Sequence, residues 1–290
     1  MGTVLLSCGS KETKTILDPS DENDLSLASY PLRQHFKCLP ETAALLAAHR
    51  GTSRGQGLAE NAALGLKSLI NNGTLIAEID VAKTKDGTHL LFHDGVWDDD
   101  STGNGAIAST TWNKAQSFLL KDTRGKLTSE TPIRLKDYLQ IAKDNIYLEI
   151  DFKSSADYRS VIQMIRKAGM SEKVILISYS EGQARKLAKL APDMYISVSI
   201  NHSGDIKRYT SNGVKLKNIA AWTGRNGPNK SLSQKIKQQS VPALSHPSQD
   251  NMRQTIKYSD IIVTDHALKY GPIIGKYNKN NNYECLKNNA

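Results

Sequence analysis

Short apolar runs alternate with amphipathic stretches from about residue 43 onward. The stretch 156–168, for example, places Val161, Ile162 and Ile165 on one face at helical spacing. Strands that alternate with helices are typical of a parallel sheet with crossover connections. The predicted strands cover residues 44–48, 75–80, 89–92, 146–152, 174–177, 195–199, 218–221 and 261–263, and the predicted helices cover residues 60–71, 134–143, 156–168, 181–190, 230–239 and 249–257. Eight such strands over about 250 residues predict a (β/α)8 TIM barrel.

Two segments do not fit this alternation. A ninth apolar run, 241–244, contains Pro242, and we interpret it as a loop or edge segment because proline is disfavoured in central strands. Residues 95–132 form a long polar insertion after the third predicted strand. Active sites of such barrels lie at the carboxyl ends of the strands, so this insertion is expected to cover the substrate.

Composition and charge narrow the function classes. The hydrophobic content of 39% predicts a globular core, and the net charge of +9 fits attraction to anionic substrates. The basic residues are scattered, which argues against a nucleic-acid partner. No apolar run reaches the 18 or so residues of a spanning helix. We divide the chain into an N-terminal segment and tether (1–40), the barrel (41–275) and a polar tail (276–290) that is expected to be mobile.

The three cysteines leave alternatives open. Residues 5–8 resemble a bacterial lipobox, with Cys8 as the lipid acceptor, but the charged and apolar regions that normally precede a lipobox are missing. Two interpretations therefore remain. Either Cys8 carries a lipid anchor, which would place the protein outside the cytoplasm, or the match to a lipobox is accidental. Cys38 and Cys285 flank the barrel and form either a disulfide between its ends or two separate thiols.

Carboxylates occur in pairs on two predicted strands. Glu78 and Asp80 share one strand face, as do Glu149 and Asp151, because strand side chains alternate. Uncompensated carboxylates inside a barrel would be costly, and a divalent cation removes that cost. We predict a Ca2+ or Mg2+ site from Glu78, Asp80 and Asp151, with Glu149 as second choice. Internal salt bridges, such as one between Glu149 and Lys153, are the alternative.

Two histidines, His49 and His93, directly follow apolar strands. Because histidine titrates near neutral pH, one can accept a proton while the other donates one, as phosphodiester hydrolysis requires. Arg50 and Lys153 are the natural contacts for a phosphate. Trp222, at another strand end, either walls the pocket or packs in the core. The remaining candidates are interpreted as ordinary residues, namely His89, His202, His246 and His266.

This set of residues resembles the pattern of the glycerophosphodiester phosphodiesterase family. The matches run in family order over residues 43–268 and comprise His49-Arg50-Gly51, Glu60-Asn61, Glu78-x-Asp80-Val81, Thr84-x-Asp86-Gly87, His93-Asp94, Asp151-x-Lys153, Trp222-Thr223 and Ser259-Asp260-Ile261-Ile262-x-Thr264-Asp265. The resemblance implies a TIM barrel, a bound Ca2+ or Mg2+, and hydrolysis of a glycerophosphodiester to sn-glycerol 3-phosphate and an alcohol. It also implies that His49 and His93 are the acid–base pair, and that the glycerol 2-hydroxyl is able to act as internal nucleophile.

The chain departs from the family pattern at several positions. Asp151 stands where the family commonly has Glu, and Ala59 and Ala62 replace a flanking Pro and Thr. An acidic loop follows His93-Asp94 in place of the usual Arg, which leaves the head group open. The alternative functions are a lipid phosphodiesterase of the related phospholipase D or phosphatidylinositol phospholipase C type, and a non-catalytic binding protein on the same scaffold.

Overall fold

A closed barrel forms the centre of the molecule. The computed structural model describes residues 26–271, 273–275 and 279–289. Its strands are β1 Ala43–Ala48, β2 Ile76–Lys83, β3 His89–Leu91, β4 Tyr147–Phe152, β5 Val174–Ile177, β6 Tyr195–Ser199, β7 Ile219–Trp222, β8 Ala243–Ser245, β9 Ile261–Thr264 and β10 Ile273–Gly275. Eight of them pair in parallel in the order β1-β2-β4-β5-β6-β7-β8-β9, and β9 pairs again with β1. The predicted (β/α)8 fold is confirmed.

Helices surround the barrel and connect most of its strands. The longer connections agree with the predicted helices to within a few residues at each end, because their apolar positions repeat at helical spacing. The helices are α1 Leu32–Cys38, α2 Ala63–Asn71, α3 Trp112–Ala115, α4 Leu135–Ala142, α5 Tyr158–Lys167, α6 Glu181–Leu190, α7 Asp205–Ser211, α8 Lys230–Lys237, α9 Met252–Thr255, α10 Ala267–Tyr270 and α11 Lys279–Asn288.

Two apolar runs have roles in the barrel that differ from the prediction. The run 89–92 contributes β3, which is not a barrel strand but pairs antiparallel with β2 through a tight turn. The run 241–244, which we interpreted as a loop or edge segment, contributes to β8, a full barrel strand between β7 and β9. Pro242 is tolerated because it precedes the first strand residue, and its carbonyl still accepts a hydrogen bond from the Ala221 N–H at 2.8 Å.

The barrel interior is apolar at one end and acidic at the other. Near the strand starts, the inward side chains pack in one buried cluster that includes Leu45, Ile76, Tyr147, Ile175, Tyr195, Leu244 and Ile261. Two and four residues beyond Ile76 and Tyr147, the same strand faces carry Glu78, Asp80, Glu149 and Asp151. The apolar end supports the fold, and the polar groups gather where the strands end.

The terminal segments close the apolar end of the barrel. Helix α1 lies within the segment assigned to the tether, and α11 lies within the tail that was expected to be mobile; Leu32 and Leu286 of these helices are fully buried. A disulfide joins Cys38 to Cys285, which decides between the two alternatives for these cysteines. Cys8 lies outside the described residues. Among the helices of the described ranges, none has both the length and the hydropathy of a membrane span.

The insertion after β3 has a small core of its own. Trp97 is fully buried there, packs against Phe92 and Phe118, and donates a hydrogen bond from its indole N–H to Thr110 Oγ1 at 3.0 Å. Gly103 permits this packing, since a Cβ at that position would lie 2.5 Å from the Phe118 ring. The insertion is therefore an ordered cover beside the carboxyl ends of the strands.

Candidate active site

Four carboxylates form two facing pairs inside the barrel. The β2–β4 register sets Glu78 opposite Glu149 and Asp80 opposite Asp151, and all four are buried. Burial, followed by the charge of Asp80, raises the pKa of Glu78 well above its usual range. Burial, with a further contribution from Asp151, raises the pKa of Glu149 to about 8. The site therefore concentrates negative charge that favours a proton or a cation.

Lys153 partly neutralises this charge. Its Nζ lies 2.7 Å from Asp80 Oδ1 and 2.8 Å from Asp151 Oδ2, whereas the sequence predicted it as a phosphate contact. Burial lowers the pKa of Lys153, but the charges of Asp80 and Asp151 outweigh burial and raise it overall. The alternative of a salt bridge between Lys153 and Glu149 is therefore not what the structure has, since Lys153 pairs with Asp80 and Asp151.

The acidic set still has the chemistry of a hard-cation site. Glu149 Oε2 and Asp151 Oδ1 are buried side-chain oxygens without a hydrogen-bond partner in the described structure. Asp151 uses its other oxygen, Oδ2, for Lys153 and for the hydroxyl of Tyr179 at 3.0 Å. Carboxylate oxygens with unused lone pairs suit Ca2+ or Mg2+. The unused oxygens of Glu149 and Asp151 therefore suit such an ion, whereas both oxygens of Asp80 are already engaged, by Lys153 and by the Asn61 side chain.

Each predicted catalytic histidine is held by a carboxylate. His49 Nδ1 lies 2.8 Å from Asp265 Oδ1, and His93 Nδ1 lies 2.7 Å from Asp94 Oδ1. A carboxylate can only accept, so each Nδ1 carries the proton and each Nε2 is left for chemistry. The hydrogen bond from His49 lowers the pKa of Asp265 to about 2, so Asp265 remains charged. Asp265 entered the sequence analysis only as the end of a motif, without a role.

Arg50 contacts one of the two histidines, His93, and directly follows the other, His49, in the chain. Its Nη2 donates to His93 Nε2 at 2.9 Å, and its Nη1 contacts Glu60 Oε2 at 2.6 Å. Its backbone N–H donates to Glu78 Oε2 at 2.8 Å, and the same oxygen lies 3.9 Å from His49 Nε2. The guanidinium is thus held by Glu60 and lies against the His93 imidazole, while the Arg50 backbone shares the Glu78 carboxylate with His49.

An unusual turn after β1 creates this arrangement. Arg50 and Gly51 both adopt the left-handed conformation, with φ of 52° and 62°. Glycine is required at position 51, since a Cβ there would lie 2.7 Å from the Tyr138 hydroxyl. Asn61, also left-handed at φ 56°, donates its amide to Asp80 Oδ2 at 2.7 Å and accepts from the Asp80 backbone N–H at 2.9 Å. Asn61 thereby fixes the orientation of the Asp80 carboxylate.

His246 is a site residue that the sequence analysis did not identify. Its ring centroid lies 4.9 Å from that of His49, and its Nε2 lies 4.0 Å from Asp265 Oδ2. Burial, followed by the charge of His49, lowers the pKa of His246 to about 4. His246 directly follows β8, as His49 follows β1, and this signal was available in the sequence. Interpreting 241–244 as a loop concealed it.

Two cavities open beside these groups. One, of about 280 Å³, has a wall that includes His49, Glu78, Glu149, Tyr179, Trp222 and His246. The other, of about 230 Å³, lies between the barrel and the insertion, and its wall includes Arg50, Glu60, His93, Asp100 and Lys121. Trp222 therefore walls the first cavity while also packing on the apolar interior. The insertion covers the second cavity, in agreement with its expected position.

Comparisons with known proteins agree with this geometry. The profile of the glycerophosphoryl diester phosphodiesterase family matches residues 49–203. A curated glycerophosphodiester phosphodiesterase from Caldanaerobacter subterraneus subsp. tengcongensis is 27% identical over 161 residues, which are 53% of this chain and 65% of that protein. The match thus spans slightly less than two thirds of the relative's length.

Solved structures show the same fold at low identity. A glycerophosphoryl diester phosphodiesterase from Parabacteroides distasonis has a TM-score of 0.71 at 21% identity, over 88% of this chain and 90% of its own. A phosphodiesterase from Oleispira antarctica, solved with the product sn-glycerol-3-phosphate, has a TM-score of 0.64 at 17% identity, over 81% of this chain and 96% of its own. Because the family profile covers more than half of the sequence, this chain belongs to the glycerophosphoryl diester phosphodiesterase family.

Proposed function

We propose that this protein hydrolyses glycerophosphodiesters to sn-glycerol 3-phosphate and an alcohol, with a divalent cation and with His49 and His93 as the acid–base pair. Family membership supports the reaction class, and the curated relative carries the same activity in its name. The Oleispira antarctica neighbour, which binds sn-glycerol-3-phosphate, supports the product.

One observation carries the proposal: two imidazoles, each backed by a carboxylate, lie at the barrel mouth with a guanidinium that contacts one of them. His93 Nε2 contacts Arg50 directly, and His49 Nε2 lies near the glutamate oxygen that holds the Arg50 backbone. Phosphodiester hydrolysis needs a proton acceptor, a proton donor and a positive group for the phosphate within one small region. These three residues meet that requirement.

The residues then have distinct roles in the reaction. The Arg50 fork binds the phosphate oxygens and stabilises the charge that develops on them. One imidazole accepts the proton of the attacking hydroxyl, and the other protonates the leaving alkoxide. Asp265 and Asp94 hold the two rings in the tautomer whose Nε2 carries no proton, and at His93 the proton transfer replaces the present contact of Nε2 with Arg50.

A divalent cation would be held by Glu78, Asp80 and Asp151, with Glu149 as the second choice for the third ligand. When bound, it would neutralise phosphate charge next to Arg50. Lys153 already contacts Asp80 and Asp151, so the ion and the ammonium compete for the same two carboxylates. The loss of stability when Lys153 is replaced, and the gain in stability when a cation binds, are both measurable.

The test uses the full chain, stripped with EDTA and then supplied with Ca2+ or Mg2+. We expect release of glycerol 3-phosphate from glycerophosphocholine or another glycerophosphodiester, and loss of that release with EDTA. His49→Gln and His93→Gln should each lower the rate by roughly 10²- to 10⁴-fold. His202→Gln, at an exposed histidine, is the matched control and should leave the rate unchanged.

Specific outcomes would contradict the proposal. No glycerol 3-phosphate from any of several head groups, with either cation, would remove the proposed activity. Wild-type turnover by His93→Gln would remove His93 from the acid–base pair, and binding of the diester by the wild type without any turnover would point to a binding protein. Cleavage of intact phospholipid vesicles in place of soluble diesters would indicate the phospholipase-type alternative.

We also propose an extracytoplasmic location, which the disulfide Cys38–Cys285 supports because disulfides persist in oxidising compartments. The lipid anchor at Cys8 stays a prediction. Labelling of expressing cells with a radioactive fatty acid, with Cys8→Ala as control, tests it. An unlabelled wild-type chain would exclude the anchor.

A further inference from the structure

Three metal-ligating side chains lie together outside the acidic set. His49, His246 and Asp265 each offer one ligand atom, and these atoms lie within 4.8 Å of one another; no other trio in the described ranges of the chain meets this condition. The three residues follow β1, β8 and β9, which are neighbouring strands of the barrel. The arrangement is therefore fixed by the barrel itself and not by a mobile loop.

We propose that His49, His246 and Asp265 form a second metal site, which takes a borderline transition-metal cation such as Zn2+. Two imidazole nitrogens and one carboxylate oxygen suit Zn2+ far better than Ca2+ or Mg2+, which prefer oxygen ligands alone. The acids on β2 and β4 offer oxygens alone. The mouth of the barrel thus presents two adjacent ligand sets of different chemistry.

The local geometry suits a small tetrahedral ion. His49 Nδ1 lies 2.8 Å from Asp265 Oδ1, and His246 Nε2 lies 4.0 Å from Asp265 Oδ2. The ligand atoms of a tetrahedral zinc lie roughly 3.4 Å apart, so adjustments of about 1 Å bring the three into place. The side chains are 26%, 17% and 29% exposed, so an ion can enter from solvent and retain a water as fourth ligand.

Existing contacts of the trio do not block the ion. Arg54 Nε lies 3.6 Å from Asp265 Oδ1, but the Arg54 side chain is half exposed and can move into solvent. Metal binding replaces the hydrogen bond between His49 and Asp265: the proton moves from His49 Nδ1 to Nε2 of the same ring, and Nδ1 and an Asp265 oxygen each bind the metal. Glu78 Oε2 lies 3.9 Å from His49 Nε2, and a cation bound nearby would favour the ionised form of this carboxyl.

Occupancy has a functional consequence that rests on the proposed function. His49 cannot both coordinate a cation and transfer a proton, so Zn2+ at this site should inhibit the phosphodiesterase. Ca2+ or Mg2+ at the oxygen-only set should not compete with it directly. The two sets would therefore make activity dependent on the ratio of hard to borderline cations.

The binding test does not depend on activity. The full chain is stripped with EDTA, dialysed into excess Ca2+ to fill the oxygen-only set, and titrated with Zn2+ against a chromophoric chelator. We expect one zinc site in the wild type, and an affinity lowered by about 10- to 100-fold or more in His246→Gln and in Asp265→Asn. His202→Gln, at an exposed histidine outside the trio, should bind like the wild type.

X-ray absorption at the zinc edge supplies an independent readout and should show two imidazole ligands in the wild type. Absence of stoichiometric binding, or wild-type affinity in both His246→Gln and Asp265→Asn, would overturn the proposal. Circular dichroism of both variants establishes that they are folded, so that lost binding reflects the lost ligand.

Inhibition is measured as the ratio of turnover with and without Zn2+. We expect this ratio to fall in the wild type and to stay near one in His246→Gln, whatever its rate without zinc. A wild type that binds zinc at the trio yet turns over unchanged would remove the inhibitory role. A chain without phosphodiesterase activity would contradict the proposed function, while the binding data would still decide the metal site.

Discussion

Asp80 and Asp151 lie directly opposite each other in the parallel register of β2 and β4. Two buried carboxylates on neighbouring strands repel, and the Lys153 ammonium that contacts both is what compensates them in the described structure. Removing one partner from a buried charge cluster strongly destabilises a protein, because it leaves a buried charge without compensation. The stability of the barrel mouth is therefore linked to whichever cation occupies it.

We predict that Lys153→Met destabilises the cation-free protein by roughly 3 kcal/mol, because two buried carboxylates lose their counter-charge. Added Ca2+ or Mg2+ should restore much of this loss, by about 2.7 kcal/mol at 100 times its dissociation constant. Thermal unfolding with EDTA and with each cation measures both effects. Lys207→Met, at an exposed lysine, is the control. Equal melting temperatures for the variant and the wild type in EDTA would contradict the interpretation.

We predict that Asp265→Asn lowers kcat by roughly 10²-fold or more while changing KM little, because Asp265 acts by positioning His49. An asparagine can donate to His49 Nδ1 and so stabilise the wrong tautomer. The pKa of Asp265 is lowered to about 2 by its hydrogen bond from His49, so the effect should persist at every pH above about 4.

Steady-state kinetics across pH 5–9 provide the measurement for this variant. Asp193→Asn, which alters a surface ion pair with Arg166 and a contact with Ser171 away from the site, is the matched control. A rate loss that merely follows a lower melting temperature would show a structural role for Asp265 and none in positioning the imidazole.

Part of the acid sensitivity of the fold should arise from His35, far from the site, in addition to the part from His246. His35 is fully buried in α1, edge-on to Tyr147, and burial lowers its pKa to about 4. The unfolded chain binds a proton near pH 6.5, so the stability from neutral His35 is present above pH 6.5 and is lost as pH falls toward 4, by up to about 3 kcal/mol.

The free energy of unfolding, measured by urea denaturation between pH 7 and 4, tests this linkage. His35→Gln should show a smaller fall over that interval than the wild type, whatever its stability at pH 7. His202→Gln should keep the wild-type slope because its side chain is exposed. Parallel slopes for His35→Gln and the wild type would exclude His35 as the source.

The disulfide between Cys38 and Cys285 should stabilise the fold without affecting catalysis. It closes a loop of 247 residues at the apolar end of the barrel, opposite the site. We predict that Cys38→Ser combined with Cys285→Ser lowers the free energy of unfolding by about 2–5 kcal/mol. The value of kcat at low temperature should not change.

Thermal melts with and without reductant provide the comparison for the disulfide. Reductant should lower the melting temperature of the wild type and leave that of the double variant unchanged; Cys8→Ser, as control, should respond like the wild type. No response of the wild type to reductant would contradict the prediction.

The sequence by itself determined the fold class and the content of the site. Alternation along β2 and β4 requires Glu78 and Asp80, and Glu149 and Asp151, to share the faces of Ile76 and Tyr147, since side chains in a strand repeat every two residues. Helical spacing between the strands predicts the crossover helices in the same way. These are local rules, and they depend only on neighbouring positions.

The sequence also contained one signal that was not used. Strands 75–80 and 89–92 are separated by too few residues for a crossover, because parallel neighbours need a connection of about a dozen or more. That spacing predicts a hairpin, and β3 forms one. An eighth barrel strand was therefore needed elsewhere, and the run with Pro242 supplies it.

Only the tertiary structure decided which charges meet. His49 and Asp265 are 216 positions apart and come together because β9 closes the barrel against β1. Lys153 pairs with Asp80 and Asp151 and not with Glu149. This pairing depends on the register between β2 and β4, which sets Asp80 opposite Asp151. Contacts of this kind follow from how the strands close into a ring, which no short stretch of the chain encodes.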